Sequence, residues 1–208
     1  MVARVRRVLS QQAGKKVKVG HCGTLDPFAT GLLLLVTGAE CRNAMRYTKL
    51  DKTYEATIIL GQTSTTGDPE GEIAPYVPED AKVPITPPSR QQLDKVLQHF
   101  IGEIRQRPPI FSAIKINGQR AYKLARDGKE VELPERTITI HSLEVLEYQY
   151  PRLVIRTRVS SGTYIRSLAV DIGGQLGTGA YCAALRRTAI ADWPVAEAQR
   201  LQDFGIVD

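Results

Sequence analysis

The chain has 208 residues, of which 42% are hydrophobic and 24% charged, so a buried core is expected rather than disorder. The longest apolar run, Leu32 to Val36, is far too short to span a bilayer, and no signal-peptide pattern follows Met1. A net charge of +6 attracts polyanions, RNA being the usual soluble one, but an ordinary basic protein accounts for that charge equally well.

The three cysteines, Cys22, Cys41 and Cys182, are scattered and form no CxxC pair, and His21, His99 and His141 are not clustered. This argues against a zinc site or a disulfide framework and for a reducing cytoplasm.

In chain order, Val2 to Gln12 reads as a basic helix with Val2, Val5, Val8 and Leu9 on one stripe. Val19 to Gly31 holds three glycines and a proline, which predicts a loop with a specific backbone path. Leu32 to Val36 reads as a buried strand and Cys41 to Leu50 as a short helix. Lys52 to Leu60 alternates, with Tyr54, Ala56, Ile58 and Leu60 on one face of a strand. Gly61 to Pro88, rich in Thr, Gly and Pro, reads as an extended surface excursion. Ser89 and Gln92 then form a capping box for a helix whose apolar face is Leu93, Val96, Leu97, Phe100 and Ile101, stopped by Gly102.

Further on, Ser112 to Ile116 predicts a strand reversing at Asn117-Gly118, and Ala121 to Arg126 a short helix. Strands fit Thr137 to Leu146 and Leu153 to Val159. In the latter, Arg152, Arg156 and Arg158 oppose Leu153, Ile155 and Val159, which predicts a basic sheet face or edge. Tyr164 to Gln175 reads as a helix burying Ile165, Leu168, Ala169 and Ile172, and Tyr181 to Ile190 as a last strand. Strands and helices do not alternate regularly, so the expected class is α+β with a mixed, largely antiparallel sheet.

The segment Gly20 to Gly31 is the most informative. An aspartate before a proline, between glycines and ahead of an apolar run, is held in a fixed turn at a sheet rim, where a substrate can reach it. From these residues alone, Asp26 is either a structural turn residue or a reactive carboxylate. A phosphate-binding P-loop is poorly supported, since neither GKS/GKT nor GxGxxG occurs.

Gly20-His-Cys-Gly-Thr-Leu-Asp-Pro-Phe-Ala-Thr-Gly-Leu-Leu33 closely resembles the GHxGTLDPxATGLL signature of the TruB pseudouridine synthases. Lys52-Thr-Tyr-Glu-Ala56 resembles the family's KxYxA motif. Pro108 to Lys115, with Gly118, Arg120, Tyr122 and Ala125-Arg126, is similar to its PPxxSAxKxxGxRxYxxAR block. Gly162-Thr-Tyr-Ile-Arg-Ser-Leu168 and Leu185-Arg-Arg-Thr188 resemble two downstream motifs, so five blocks stand in the family's order.

The resemblance implies the pseudouridine synthase fold and isomerisation of the uridine at position 55, in the TΨC arm of tRNA. The reaction breaks C1′–N1, turns the uracil and rejoins it through C5, so no cofactor and no metal are expected. The target lies in a folded RNA loop and must be flipped out to react. By the same resemblance Asp26 is the catalytic carboxylate, acting at C1′ or on the 2′ proton, with Arg166 as the cation that favours its charged form. Tyr54 stacks on the flipped uracil and relays the C5 proton; Tyr164 and Leu185 line the base pocket; His21 enters the opened RNA loop. Lys115, Arg120 and Arg126 are candidates for contacts to the RNA backbone.

The family pattern also includes an N-terminal strand with an NKPxGxTS segment, carrying a lysine near the active site, and a small C-terminal RNA-binding extension; neither occurs in this sequence. The expected organisation is one catalytic domain over residues 1–208, incomplete at its N-terminus, with a sheet edge exposed where the first strand is missing. A catalytically impaired tRNA-binding module is the alternative. A subunit of a guide-RNA-directed synthase is disfavoured by the bacterial-style PPxxSAxK block and the missing PUA-like domain. No membrane and no obligatory protein partner are expected.

Overall fold

The computed structural model describes residues 1–78, 84–112, 114–116, 119–121 and 133–206. Helix α1 spans Val2–Gln12 and leads into strands β1 (Val19–His21), β2 (Thr30–Gly31) and β3 (Leu35–Thr37). A 3-10 turn, Gly38–Asn43, runs into α2 (Ala44–Thr48), and β4 (Lys52–Leu60) follows. Next come β5 (Gln62–Ser64), β6 (Ile73–Pro75), α3 (Arg90–Gln98) and β7 (Gly102–Gln106). The chain continues through β8 (Lys115–Ile116), β9 (Gln119–Arg120), β10 (Arg136–Gln149) and β11 (Arg152–Val159). Helix α4 (Ile165–Gln175) then leads to β12 (Ala180–Ile190) and β13 (Trp193–Pro194).

The main sheet runs β13-β12-β4-β11-β10-β7, antiparallel throughout, with β2 added parallel to β12. The class is therefore α+β with a mixed, largely antiparallel sheet, as the irregular order of elements predicted. Three two-stranded hairpins, β1–β3, β5–β6 and β8–β9, decorate it.

Strand β4 sits at the centre, and its alternation does what period-2 patterning requires: Tyr54, Ala56, Ile58 and Leu60 are buried while their neighbours are half-buried. That face packs with Leu153, Ile155 and Val159 of β11 against α3 and α4. Helix α4 buries the expected Ile165, Leu168, Ala169 and Ile172. It lies so close to β12 that a Cβ on Gly173 would stand 2.4 Å from the Ala180 nitrogen. The capping box on α3 is complete in both directions, Gln92 N–H to Ser89 Oγ and Ser89 N–H to Gln92 Oε1.

Several expectations are corrected. Ile101 is 41% exposed rather than part of the α3 face, because the helix ends at Gln98 and the chain leaves it before Ile101 can turn inward. Gly102, read as a stop, opens β7 at φ +102°, a strand the sequence reading missed. The strand expected over Leu32 to Val36 lies at Leu35–Thr37, since its partner β1 offers only three residues to pair with. The helix expected over Cys41 to Leu50 begins as the 3-10 turn, and its α-helical part is only Ala44–Thr48.

Arg152, Arg156 and Arg158 do project from the solvent face of β11, but that face is not basic. Arg152 pairs with Glu147, Arg156 with Glu55 and Glu144, and Arg158 with Asp51. The acids come from β4, β10 and the residue preceding β4, which a reading of β11 alone does not see. Of the strand predicted over Ser112 to Ile116, β8 keeps two residues. They pair with β9 as Lys115↔Arg120 and Ile116↔Gln119, the register a two-residue reversal gives. The turn residues Asn117 and Gly118 and the predicted helix beyond Ala121 lie outside the described residues.

Candidate active site

The loop between β1 and β3 is built around a buried arginine. Arg187, on β12, is 1% exposed and sends its guanidinium into the loop. It donates from Nε to the Leu32 carbonyl at 2.7 Å, from Nη2 to Gly23 at 3.2 Å and from Nη1 to Thr24 at 3.4 Å. The Arg187 carbonyl accepts from Leu32 N–H at 2.9 Å. This close approach explains Gly31: at φ +102° a Cβ there would lie 2.2 Å from that carbonyl oxygen. The loop closes on itself where Ala29 N–H donates to the Asp26 carbonyl at 3.0 Å.

Asp26 sits at the crest of this loop and meets Arg166 from the first turn of α4 in two-pronged fashion. Arg166 Nε donates to Oδ2 at 2.9 Å and Nη2 to Oδ1 at 3.2 Å. Asp26 remains 31% exposed, whereas the Arg166 side chain is 4% exposed. The carboxylate thus faces both a fixed cation and solvent.

Arg166 is anchored well beyond Asp26. Nη1 reaches the Thr66 carbonyl at 3.2 Å and Asp68 Oδ2 at 3.1 Å, and Nη2 also reaches the Phe111 carbonyl at 3.0 Å. Four hydrogen bonds and the ion pair to Asp68 hold the guanidinium plane and with it the Asp26 carboxylate.

Tyr54, at the centre of β4, is 9% exposed. Burial is the main cause that pushes its phenol above the usual value of 10.0, the nearby Asp26 charge adds to this, and the Arg187 charge and hydrogen bond oppose it. The phenol is therefore neutral through neutral pH. Tyr164 caps the N-terminus of α4, two residues before Arg166, and is half-buried. Leu185 lies on β12 opposite Ala56 and is 7% exposed within the main core. His21 ends β1 with its side chain exposed, five residues ahead of Asp26. Asp26 and Arg166 are thus brought together, with Tyr54 close enough to feel the Asp26 charge, while Tyr164 stands at the N-cap of α4 two residues before Arg166, Leu185 belongs to the main core, and His21 is exposed at the end of β1. Lys115 and Arg120 lie on the β8–β9 hairpin, but their side chains, like all of Arg126, are outside the described residues.

Two participants escaped the sequence reading. Asp68 falls in the stretch read as a surface excursion, yet it is 2% exposed. The β5–β6 hairpin folds it inward, where its Oδ1 accepts from Thr66 Oγ1 at 2.5 Å and from Glu70 N–H at 3.0 Å. No spacing in Thr65-Thr66-Gly67-Asp68 separates this from a solvated turn. Arg187 stood inside the quoted Leu185 to Thr188 block without a role, and only the parallel β2–β12 contact reveals what it holds.

A carboxylate paired with a buried guanidinium, close to a buried tyrosine, defines a candidate catalytic centre. The profile described as TruB family pseudouridylate synthase (N terminal domain) matches residues 6–165, and the chain belongs to this family. Among curated relatives, the tRNA pseudouridine synthase B of Parabacteroides distasonis is 47% identical over 178 residues, covering 86% of this chain and 73% of that protein. The tRNA pseudouridine synthase B of Phocaeicola vulgatus is 42% identical over 98% of this chain and 85% of its own length. That of Francisella tularensis subsp. novicida is 48% identical, and the chain spans only 60% of its length. Among solved structures, a Cbf5-Nop10-Gar1 complex is similar, with a TM-score of 0.66 and 28% identity over 93% of this chain and 45% of that one. An H/ACA RNP bound to a substrate RNA containing 2′-deoxyuridine gives a TM-score of 0.62 at 25% identity, over all of this chain and 51% of that one.

Proposed function

We propose that this chain isomerises uridine 55, in the TΨC arm of tRNA, to pseudouridine, with residues 1–208 acting as a catalytic domain. The observation that carries this reading is the Asp26–Arg166 pair, a partly exposed carboxylate whose orientation is fixed by a buried guanidinium. The relatives of 42–48% identity are tRNA pseudouridine synthases B, whereas the Cbf5-Nop10-Gar1 complex and the H/ACA RNP match at 25–28%.

In this reading the target uridine leaves its RNA stack and its sugar meets Asp26. The carboxylate either attacks C1′ or removes the 2′ proton, and in both cases the N1–C1′ electron pair leaves with the uracil. The base turns and C5 bonds to C1′. In the first route this releases the Asp26 carboxylate; in the second, C2′ takes its proton back from that carboxyl. The C5 proton is then lost and N1 ends protonated. Tyr54 offers an aromatic wall to the freed base, a contact worth about 1–3 kcal/mol that does not hinder in-plane rotation. As a neutral phenol it accepts the C5 proton only by passing on its own. Tyr164 and Leu185 complete the base pocket, His21 enters the RNA loop from the rim, and Lys115, Arg120 and Arg126 contact phosphates. The three free cysteines, two of them buried, fit a reducing cytoplasm. Among the described residues no helix is long and apolar enough to cross a membrane.

The test uses the purified chain alone with an unmodified tRNA transcript. Pseudouridine at position 55 is expected from the wild type and none from Asp26→Asn. Tight, salt-sensitive tRNA binding without isomerisation would instead establish the binding-module alternative, and dependence on an added guide RNA would establish the third reading.

A further inference from the structure

Strand β7 ends at Gln106 and β10 begins at Arg136, and the two residues are direct partners across the antiparallel ladder. Both converge on Tyr164. Gln106 is 1% exposed and uses its amide as a peptide group would. Its Oε1 accepts from Tyr164 N–H at 2.8 Å and its Nε2 donates to the Tyr164 carbonyl at 3.0 Å. The Arg136 guanidinium stands over the Tyr164 ring, 5.6 Å from its centroid.

Tyr164 occupies the N-cap of α4 with extended backbone and no side-chain cap of its own. Helix N-termini leave backbone donors unpaired, and residues that cap by side chain normally relieve this. Here the relief comes from another strand, 58 residues away in sequence. The first turn is tied to the same stretch, since Ser167 Oγ donates to the Arg107 carbonyl at 2.9 Å. The start of α4 is thus registered against the end of β7, and Arg166 follows within that first turn. A shift of Tyr164 therefore moves the guanidinium that orients Asp26.

We propose that Gln106, assisted by Arg136 across the ladder, is a positioning residue that fixes Tyr164 and through it the Asp26–Arg166 pair. It touches no reacting atom. The proposal rests on the reading of the site as a uridine isomerase, and it makes Gln106 matter for turnover rather than for RNA affinity. Positioning errors near 1 Å cost about 100-fold in rate.

Gln106→Met keeps the volume and removes both hydrogen bonds. It is expected to lower kcat by about 10–100-fold while KM for tRNA stays within about threefold of wild type. Gln106→Glu supplies a signature that a packing role lacks. Ionised, it accepts from Tyr164 N–H but repels the carbonyl; protonated, it donates to that carbonyl and restores the pair. Because position 106 is buried, the carboxyl is raised toward neutrality, and its kcat relative to wild type is expected to climb as pH falls from 8 to 5, while the Gln106→Met ratio stays flat. Hydrogen–deuterium exchange over residues 161–168 reads the geometry without any turnover and is expected to quicken in Gln106→Met. If that variant fails to fold, Gln106→Asn, shorter by one methylene, carries the same measurements. Wild-type-like kcat, a flat Gln106→Glu profile or unchanged exchange overturns the proposal. A wild type that makes no pseudouridine overturns the isomerase reading instead, and the exchange experiment still decides whether Gln106 holds Tyr164.

Discussion

Asp68 Oδ2 lies 3.1 Å from Arg166 Nη1, and both side chains are almost fully buried. Arg166 therefore carries two carboxylates, one open to a substrate and one sealed beneath it. The sealed partner balances the buried cation and pins its far edge, so that the near edge holds Asp26 in one orientation.

Removing that balance is expected to cost both stability and rate. Breaking a buried pair from one side costs about 3–5 kcal/mol, and Asp68→Asn, which keeps an acceptor for Thr66 Oγ1, belongs at the lower end. Denaturant unfolding checks the first expectation. Single-turnover pseudouridine formation checks the second, with a decline of about tenfold or more, because Arg166 loses one anchor. An unchanged midpoint and rate would mean that the pair carries little.

The loop itself offers a sharper contrast. Gly31→Ala places a methyl 2.2 Å from a backbone oxygen at φ +102°, and no side chain can yield to it. A loss of more than about 3 kcal/mol is expected, from clash added to the strain of a left-handed residue. Gly14→Ala has a comparable φ of +61° with nothing within 4 Å, so about 1–2 kcal/mol is expected. Thermal melts of the two variants should therefore separate clearly, and only the first should lose activity beyond its stability loss.

Lys52 provides a pH signature. Its ammonium is buried, donates to the Thr48 and Leu50 carbonyls, and is pushed down from 10.5 to about 8, first by desolvation and then by Arg187. Between about 8 and 10.5 the unfolded chain holds a proton that the folded chain has released, so stability rises with pH across that window. The cost of the buried charge is fully present below about 8 and vanishes above 10.5. Unfolding free energies of wild type and Lys52→Met, compared at pH 7.5 and 10, should shift in favour of the wild type by about 2 kcal/mol. A pH-independent difference would show that Lys52 stays charged throughout.

Charge on the outer sheet face bears on RNA binding. Each arginine of β11 there faces a carboxylate, and such exposed pairs contribute only about 0–1 kcal/mol. Arg156→Gln is therefore expected to change tRNA affinity by less than about twofold and to leave its salt slope intact. A drop in slope of about one unit would place a phosphate on that face.

The sequence by itself determined the strands and helices whose burial follows from local periodicity. The alternation of Lys52–Leu60, the capping box at Ser89 and Gln92, and the apolar stripe of α4 each report on neighbours one to four residues away. The motif at Gly20 to Leu33 likewise singled out Asp26, and the block at Gly162 to Leu168 singled out Arg166. What only the tertiary structure decided involves partners far apart in the chain. Asp68 looked solvated until the β5–β6 hairpin turned it under Arg166, 98 positions later. Arg187 had no visible task until β12 laid it across the loop it supports, and the β11 arginines looked basic until β4 and β10 supplied their acids. Burial of a charge depends on what the fold places around it, and no local pattern encodes that. Asp26 was therefore legible as a residue, but the five-acceptor cradle that orients it through Arg166 exists only in the folded chain.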